Sequence, residues 1–157
     1  MSNKFILPKN MLRTSDILHL ANLMEIPNFA GVKMRDELKG KPKRSECGIE
    51  NLNITSEPGS YWICFYWCRN DPYFFYSFAE PSPRELLKFL ESDVEFTQNF
   101  PVIKRNLLIV QHVQSSVCGP LCLYVLKQLS LKTPFSDIID FLDKRYRKLP
   151  TTPLVSV

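Results

Sequence analysis

Histidine and long apolar segments are both scarce in this sequence of 157 residues. There are two histidines, His19 and His112. The longest uninterrupted apolar run, residues 61–68, is far shorter than the roughly 20 residues that a membrane-spanning helix needs. The first residues also lack an apolar segment of signal-peptide length. We therefore expect no membrane association, and a cytoplasmic or nuclear protein rather than a secreted one.

Cysteine occurs five times, an odd number that argues against a framework of disulfides. Without a secretory signal, the thiols are expected to be reduced. Cys64 and Cys68 are spaced closely enough to resemble a metal-binding pair of cysteines. Tetrahedral zinc sites need a second Cys/His pair with matching spacing, and the sequence has none. We therefore expect structural cysteines, no metal and no cofactor.

Length and composition predict a single globular domain over residues 1–157, with residues 1–13 and 150–157 as loose ends. Hydrophobic residues make up 45% of the chain, which is enough for a substantial core. The net charge of +4 permits an acidic partner without requiring one. No internal repeat or low-complexity tract divides the chain.

Apolar periodicity and capping residues predict the secondary structure. Residues 25–59, rich in proline and glycine, are expected to be mostly irregular. Residues 61–67 and 73–78 read as a β-hairpin, and residues 107–111 as a third strand. Helices are expected to begin at Thr14-Ser15-Asp16, with apolar positions Ile17, Leu18, Leu20, Ala21 and Met24, at Ser82-Pro83, at Cys118 and at Ser136. This order predicts an α+β domain with a central mixed or antiparallel sheet and a buried helix over residues 118–129.

Gln111 and Cys118, seven positions apart, have the arrangement of a thiol nucleophile and its oxyanion site. A short polar loop carries Cys118 to the start of the central helix, whose N-terminus favours a thiolate. Backbone N–H groups together with the Gln111 amide would form the oxyanion site. The alternative is that Cys118 is a small buried apolar residue. Cys122, one helical turn later, is expected to pack in the core.

Four segments of the sequence resemble adenovirus-type cysteine proteases, and most closely the versions carried by Polinton/Maverick virus-like transposons. These segments are residues 26–38, 46–52, 59–62 and 115–119, and the likeness extends over residues 14–142. The resemblance implies a papain-like fold shared with SUMO-specific proteases. It also implies an active site of His, Asp or Glu, Gln and Cys, in that chain order.

The resemblance breaks down at two active-site positions. The family motif Gly-Ser/Thr-His-Trp is here Gly59-Ser60-Tyr61-Trp62, so Tyr61 occupies the position of the base. Tyr76 occupies the position of the carboxylate that orients the base. Gln111 and Cys118 match the oxyanion residue and the nucleophile, and the matched motifs place Trp62 and Gly119 in the cleft.

Tyrosine at the base position implies a catalytically inactive domain. A phenol with an ordinary pKa of about 10 is roughly 99.9% protonated at pH 7 and cannot take the thiol proton. We expect the Tyr61 phenol to point toward Cys118, with Tyr76 filling the space behind it. The prediction is a pseudoprotease that binds a protein or peptide, with an extended segment in the former substrate cleft.

The main alternative is an active or residually active cysteine endopeptidase that processes viral-type proteins. Its base would come from a partner or from His112. If residues 107–111 form a strand and Gln111 faces the cleft, His112 faces away. Glu80 or Asp93 could stand in for the lost carboxylate, and His19 is expected at the helix surface.

A basic cluster offers a third possibility, a nucleic-acid-binding remnant of the same family. Such a cluster supports phosphate binding electrostatically. No base-reading motif accompanies it, so a solvated loop is the favoured interpretation. The cluster consists of Lys33, Arg35, Lys39, Lys41, Lys43 and Arg44.

Overall fold

A computed structural model describes residues 11–54, 61–67, 72–92, 103–112 and 115–146. Several predictions fall outside these residues. They concern Gly59 and Ser60, Cys68, Asp93, the first ten residues and the segment 150–157.

Within the described residues the chain forms four α-helices, a short 3₁₀ helix and one five-stranded sheet. The helices are α1 (Thr14–Leu23), α2 (Arg84–Glu91), α3 (Cys118–Ser130) and α4 (Phe135–Tyr146), and the 3₁₀ helix is Arg35–Glu37. The strands are β1 (Phe29–Met34), β2 (Cys47–Asn51), β3 (Trp62–Tyr66), β4 (Tyr73–Phe75) and β5 (Lys104–Arg105).

The sheet is mixed, and its strands lie in chain order from β1 to β5. β2, β3 and β4 are antiparallel neighbours, while β1 pairs with β2 and β5 pairs with β4 in parallel. The predicted hairpin is therefore confirmed as β3 and β4, with Cys64 opposite Phe75. The prediction of an α+β fold with a mixed central sheet is also confirmed.

Side chains on the two faces of the sheet form two hydrophobic clusters. On one face, α3 packs against β3, and its Leu121 and Val125 are buried together with Ile49 and Cys64. α1 and α4 also contact α3. The prediction that α3 is a buried helix is confirmed. Each fully buried leucine stabilises the fold by about 1.5–3 kcal/mol relative to an exposed one.

The opposite face of the sheet is covered by α2. Leu86, Phe89 and Leu90 of this helix are buried with Phe65 and Phe74 of the sheet. The spacing of these three helix residues is that of one helical face. The sheet thus lies between α3 and α2, and each of its faces carries a different set of side chains.

Residues 25–59 were wrongly predicted to be mostly irregular, because they contain β1 and β2. β2 includes Gly48, Glu50 and Asn51, residue types that are depleted in strands. All of its residues are nevertheless buried, because it lies between β1 and β3. Strand pairing on both sides overrides the weak local preference.

The strand predicted for residues 107–111 is also wrong. β5 lies upstream at Lys104–Arg105, and Leu107, Leu108 and Ile109 are exposed by 76, 48 and 50%. The Asn106 amide supports this segment by donating to the backbone oxygens of Tyr76 and Leu108. The alternation argument that turned His112 away from the cleft therefore loses its basis.

Several helix boundaries and one terminus also differ from the prediction. The Asp16 carboxylate accepts a hydrogen bond from the Arg13 N–H at 2.9 Å, so α1 is capped from its third residue. Leu18 of α1 is exposed by 44%. α2 begins one residue after Pro83, and α4 begins one residue before Ser136. Leu12, within the terminus expected to be loose, is buried.

Candidate active site

Cys118 is the first residue of α3, and its thiol lies among backbone N–H groups. Its Sγ accepts a hydrogen bond from the Trp62 N–H at 3.5 Å. Burial raises the pKa of the Cys118 thiol to about 11, although the N–H groups of Trp62, Gly119 and Cys118 itself lower it and Cys122 adds a further increase. The Cys118 thiol is therefore almost entirely un-ionised at pH 7.

Trp62, Gly119 and Leu12 form a close contact beside this thiol. The Trp62 indole N–H donates to the Leu12 carbonyl at 3.0 Å. A Cβ on Gly119 would lie 3.2 Å from the Trp62 ring and 3.3 Å from the Leu12 Cβ, so glycine allows this packing. Sequence reasoning missed Leu12. Its place directly before the helix cap, with Ile17 as the apolar partner in the first turn, is the hydrophobic-staple pattern that could have revealed it.

Tyr61 and Tyr76 belong to an aromatic cluster with Phe78. Tyr61 is 48% exposed, and its ring centroid is 6.3 Å from that of Tyr76 and 5.4 Å from that of Phe78. Tyr76 is buried, and burial, followed by the charges of Glu80, Tyr61 and Cys118, raises the pKa of its phenol. The Cys118 thiol thus affects the pKa of the Tyr76 phenol. The Tyr61 ring contacts those of Tyr76 and Phe78, and its backbone carbonyl accepts a hydrogen bond from the Leu52 N–H at 3.0 Å.

Gln111 is buried, and its amide connects two parts of the site. Its Oε1 accepts a hydrogen bond from the Ser77 hydroxyl at 2.6 Å, and its Nε2 donates to the Ser115 carbonyl at 2.7 Å. The amide thereby joins the residues after β4 to the loop that leads into α3. Sequence reasoning gave Ser77 no role, although it directly follows Tyr76.

Asn106 is a second positioning residue that sequence reasoning missed. Its Oδ1 accepts from the Tyr76 N–H at 3.1 Å, and its Nδ2 donates to the Tyr76 carbonyl at 2.6 Å. A buried amide that bonds both backbone groups of one residue fixes that residue in place. A single polar residue ahead of an apolar run carries no sequence signal of this kind.

Cys122 and Cys64 pack behind the site. Both are buried, the Cys122 thiol lies 3.5 Å from the Trp62 carbonyl and donates to it, and it also contacts Cys64. Burial and Cys64 raise the pKa of Cys122 well above its ordinary value. Within the described residues, no group of His, Cys, Asp and Glu side chains could hold a metal ion.

The six residues of the predicted basic cluster differ in their surroundings. Arg35 is half-buried, and its Nε lies 3.7 Å from a Glu85 carboxylate oxygen on α2. The other five are exposed: Lys33, Lys39, Lys41, Lys43 and Arg44.

The remaining candidates lie at the edge of the site or away from it. His112 is half-buried, and its backbone carbonyl accepts from the Ser115 N–H at 2.9 Å. His19 is exposed on α1 and Glu80 is exposed after β4, where its charge acts on Tyr76.

Comparison with known proteins gives a likeness of structure. No protein-family model and no curated protein matches the chain. The crystal structure of the ASFV pS273R protease matches with a TM-score of 0.58 and 12% identity, covering 86% of this chain. A second crystal structure of that protease, with selenomethionine, has a TM-score of 0.44 and 15% identity, and covers 59% of this chain and 38% of its own.

Two facts about length accompany the structural match, one about the matched protein and one about the helices of this chain. This chain spans 65% of the length of the first matched structure. In the part of the chain that the structure describes, no helix is both long and apolar enough to cross a membrane. The mixed sheet, the buried helix α3 and the structural match together show that the chain has a SUMO-protease-like, papain-related cysteine protease fold.

Proposed function

We propose that this domain is a catalytically inactive homologue of adenovirus-type cysteine proteases, derived from a virus or virus-like transposon, that acts by binding a protein or peptide. The observation that carries the proposal is the surroundings of Cys118. Among the described residues, its sulfur accepts a hydrogen bond from the Trp62 N–H and interacts electrostatically with Tyr76 and Cys122. None of these three partners of the sulfur is an imidazole or a carboxylate.

The chemistry of proteolysis requires a group that takes the proton of the thiol and later protonates the leaving amine. The raised pKa of Tyr76 keeps its phenol protonated at neutral pH, so it cannot accept that proton. The raised pKa of Cys118 leaves the thiol in its un-ionised form as well. Because the Tyr76 phenol and the Cys118 thiol are both protonated, neither can accept a proton from the other.

Exposed apolar side chains beside the cleft support a binding role. Tyr61 contacts the ring of Tyr76, and Asn106, which binds the Tyr76 backbone, begins the segment with exposed Leu107, Leu108 and Ile109. These side chains offer an apolar surface to an extended peptide, whose backbone would pair by strand addition. The bound protein is to be identified by selecting peptides that bind the domain, since the fold alone does not name it.

The catalytic half of the proposal is tested by incubating the purified protein with extended and glycine-rich peptides. We expect no turnover above that of Cys118→Ala, measured by mass spectrometry over a day. Cleavage by the unmodified protein that Cys118→Ala abolishes would contradict the proposal.

The binding half is tested by selecting a displayed random peptide library on the immobilised domain. We expect enriched peptides whose binding is lost in Tyr61→Ala and in Leu108→Asp. Leu131→Asp is the matched control, because Leu131 is exposed by 61% at the far end of α3. Equal loss in the control, or no enrichment, would overturn the binding role.

A residually active protease is the second candidate, and the backbone N–H groups around Cys118 favour it. They lower the pKa of the thiol, as the N-terminus of a helix does in working cysteine enzymes. Burial outweighs them here. A partner that opened the site and supplied an imidazole would reverse that balance, so cleavage that appears only with a partner present would favour this second function.

A further inference from the structure

The chain's own Leu12 fills a slot beside the Cys118 thiol. Leu12 lies in a segment that is neither helix nor strand, and the following residue, Arg13, has extended backbone angles. Met11 and Arg13 on either side are exposed, Met11 by 68%, whereas Leu12 is only 6% exposed. A single side chain of an otherwise exposed segment is thus inserted into the protein, which is how a side-chain pocket holds an extended peptide.

Trp62 and Gly119 form the walls of this slot. A Cβ on Gly119 would lie 3.2 Å from the Trp62 ring and 3.4 Å from the Cδ1 atom of Leu12. Gly119 lies within α3 and does not have a positive φ, so its backbone conformation does not require glycine. Glycine also disfavours a helix relative to alanine. The close approach of Leu12 and Trp62 gives a physical reason for glycine at this position.

Both walls are connected to the thiol of Cys118. Gly119 follows Cys118 directly in the chain, and the Trp62 N–H donates to the Cys118 Sγ at 3.5 Å. The buried indole N–H of Trp62 needs an acceptor, which the Leu12 carbonyl provides at 3.0 Å. Every peptide has backbone carbonyls, so another segment with an aliphatic side chain at this point would make the same two contacts.

The helix that follows Leu12 has hydrogen bonds and buried residues of its own. The Ile17 N–H donates to the Arg13 carbonyl at 3.0 Å, and the Asp16 carboxylate accepts from the Arg13 N–H at 2.9 Å. Ile17 and Ala21 bury the inner face of α1. These contacts of α1 remain when Leu12 leaves the slot.

We propose that Leu12 is an internal ligand of the Cys118 cleft, and that a partner peptide binds there by inserting a leucine-like side chain between Trp62 and Gly119 in its place. The inference rests on the proposed function, because it takes the Cys118 cleft as the place where a peptide binds. It adds what that peptide carries, an aliphatic side chain with its backbone carbonyl at the Trp62 indole, and which residue it displaces.

Iodoacetamide labelling of the full chain tests whether Leu12 closes the site. We expect Cys118 in Leu12→Ala to react at least about fivefold faster than in the unmodified protein, with the rate at Cys122 unchanged. Cys122 is fully buried one turn further along α3, so its labelling reports general unfolding. Leu142→Ala on α4, in the same hydrophobic cluster, is the matched control and should not favour Cys118 over Cys122.

A milder variant keeps this test decisive if Leu12→Ala does not fold, as judged by circular dichroism. Leu12→Val removes one carbon from the side chain. We expect the same selective labelling of Cys118 over Cys122 in Leu12→Val, with a smaller increase in rate.

Two synthetic peptides test what the slot accepts. They are acetyl-Gly-Met-Leu-Arg-Gly-amide and the matched peptide with alanine in place of leucine. At about 5 mM, the leucine peptide should slow the labelling of Cys118 in Leu12→Ala at least about threefold, and the alanine peptide should not. Leu12→Ala combined with Gly119→Ala places a methyl group in the slot, so the leucine peptide should no longer protect Cys118.

Equal ratios of the Cys118 and Cys122 rates in Leu12→Ala and Leu142→Ala would overturn the proposal, because Leu12 would then be only a part of the core. Equal protection by the two peptides would also overturn it, as would protection that persists in the variant with Gly119→Ala.

These readouts are independent of peptidase turnover and of selection from the peptide library. Library binding that is lost in Tyr61→Ala, together with no selective labelling in Leu12→Ala, would refute this inference and leave the proposed function standing. Turnover that depends on Cys118, or a library without enriched peptides, would overturn the proposed function instead.

Discussion

Two opposing effects act on the pKa of the Cys118 thiol. Its place at the start of α3 supplies N–H donors that favour a thiolate, while burial disfavours any charge there. Burial has the larger effect and raises the pKa to about 11. A place at the start of a helix therefore does not by itself make a cysteine a nucleophile.

The pH dependence of Cys118 alkylation follows from this pKa. Between pH 7 and pH 9 we expect the iodoacetamide labelling rate at Cys118 to rise about tenfold per pH unit, because the thiolate fraction does so below a pKa of about 11. Peptide mapping identifies the labelled residue, with Cys118→Ser as the control. A rate that levels off below pH 8 would mean that the thiol is activated.

Under the proposed function, a histidine at position 61 should restore thiolate character to Cys118 in part. We expect Tyr61→His to speed alkylation of Cys118 near neutral pH, because an imidazolium stabilises a neighbouring thiolate. Hydrolysis should stay low until Tyr76→Asp is added to orient the imidazole. Labelling and peptide cleavage are measured on single and double variants, with Tyr61→Phe as the matched control. Equal alkylation rates in Tyr61→His and Tyr61→Phe would contradict the alignment of Tyr61 with the base.

At the scale of elements, β2 carries a buried acidic side chain. Glu50 is fully buried, and neither of its carboxylate oxygens has a hydrogen-bond partner among the residues that the structure describes. Burial first, and then the charge of Glu85, raises the pKa of Glu50 to about 8, with Arg35 opposing the shift. Glu50 is therefore protonated in the folded protein at neutral pH.

This protonation predicts a pH-dependent stability. The pKa of Glu50 rises from 4.5 to about 8 on folding, so the folded state binds the proton more tightly between these values. The free energy of unfolding should fall as pH rises through that window, by about 1.4 kcal/mol per pH unit. Glu50→Gln should remove that slope and stabilise the protein at pH 9 by on the order of 5 kcal/mol. Urea unfolding at pH 5, 7 and 9 measures both, with Glu91→Gln on the exposed end of α2 as control. A slope unchanged in Glu50→Gln would refute the assignment.

At the scale of the whole molecule, one sheet contributes residues to both hydrophobic clusters, one cluster on each of its faces. Ile63 and Phe65 alternate with Trp62 and Cys64 along β3, so that neighbouring residues of the strand belong to different clusters. Loss of either cluster would remove half of the burial of this central strand. The two faces should therefore lose their structure together.

We expect a single cooperative thermal transition. Leu121→Ala on α3 and Leu86→Ala on α2 should each lower the stability of the whole domain by about 2–5 kcal/mol, since both leucines are fully buried in different clusters. Calorimetry and amide exchange measure whether one transition moves as a unit. A variant that splits the transition in two would show that the faces unfold separately.

The sequence alone determined the features that rest on short-range patterns. Helical spacing of buried residues placed α1 to α4 within one or two residues, and paired aromatic runs gave the β3–β4 hairpin. The order of motifs around Tyr61, Tyr76, Gln111 and Cys118 gave the fold class before any geometry. These signals are local, because each element shows its own periodicity.

The tertiary structure decided what depends on partners distant in the chain. β2 is a strand because β1 and β3 pair with it, although its own residues disfavour that state. Leu12 is buried because Trp62 and Gly119 come to it, and Gln111 is fixed by Ser77 and Ser115. The raised pKa values of Cys118 and Glu50 come from burial. Burial and pairing are properties of the assembled chain, so no local pattern carries them.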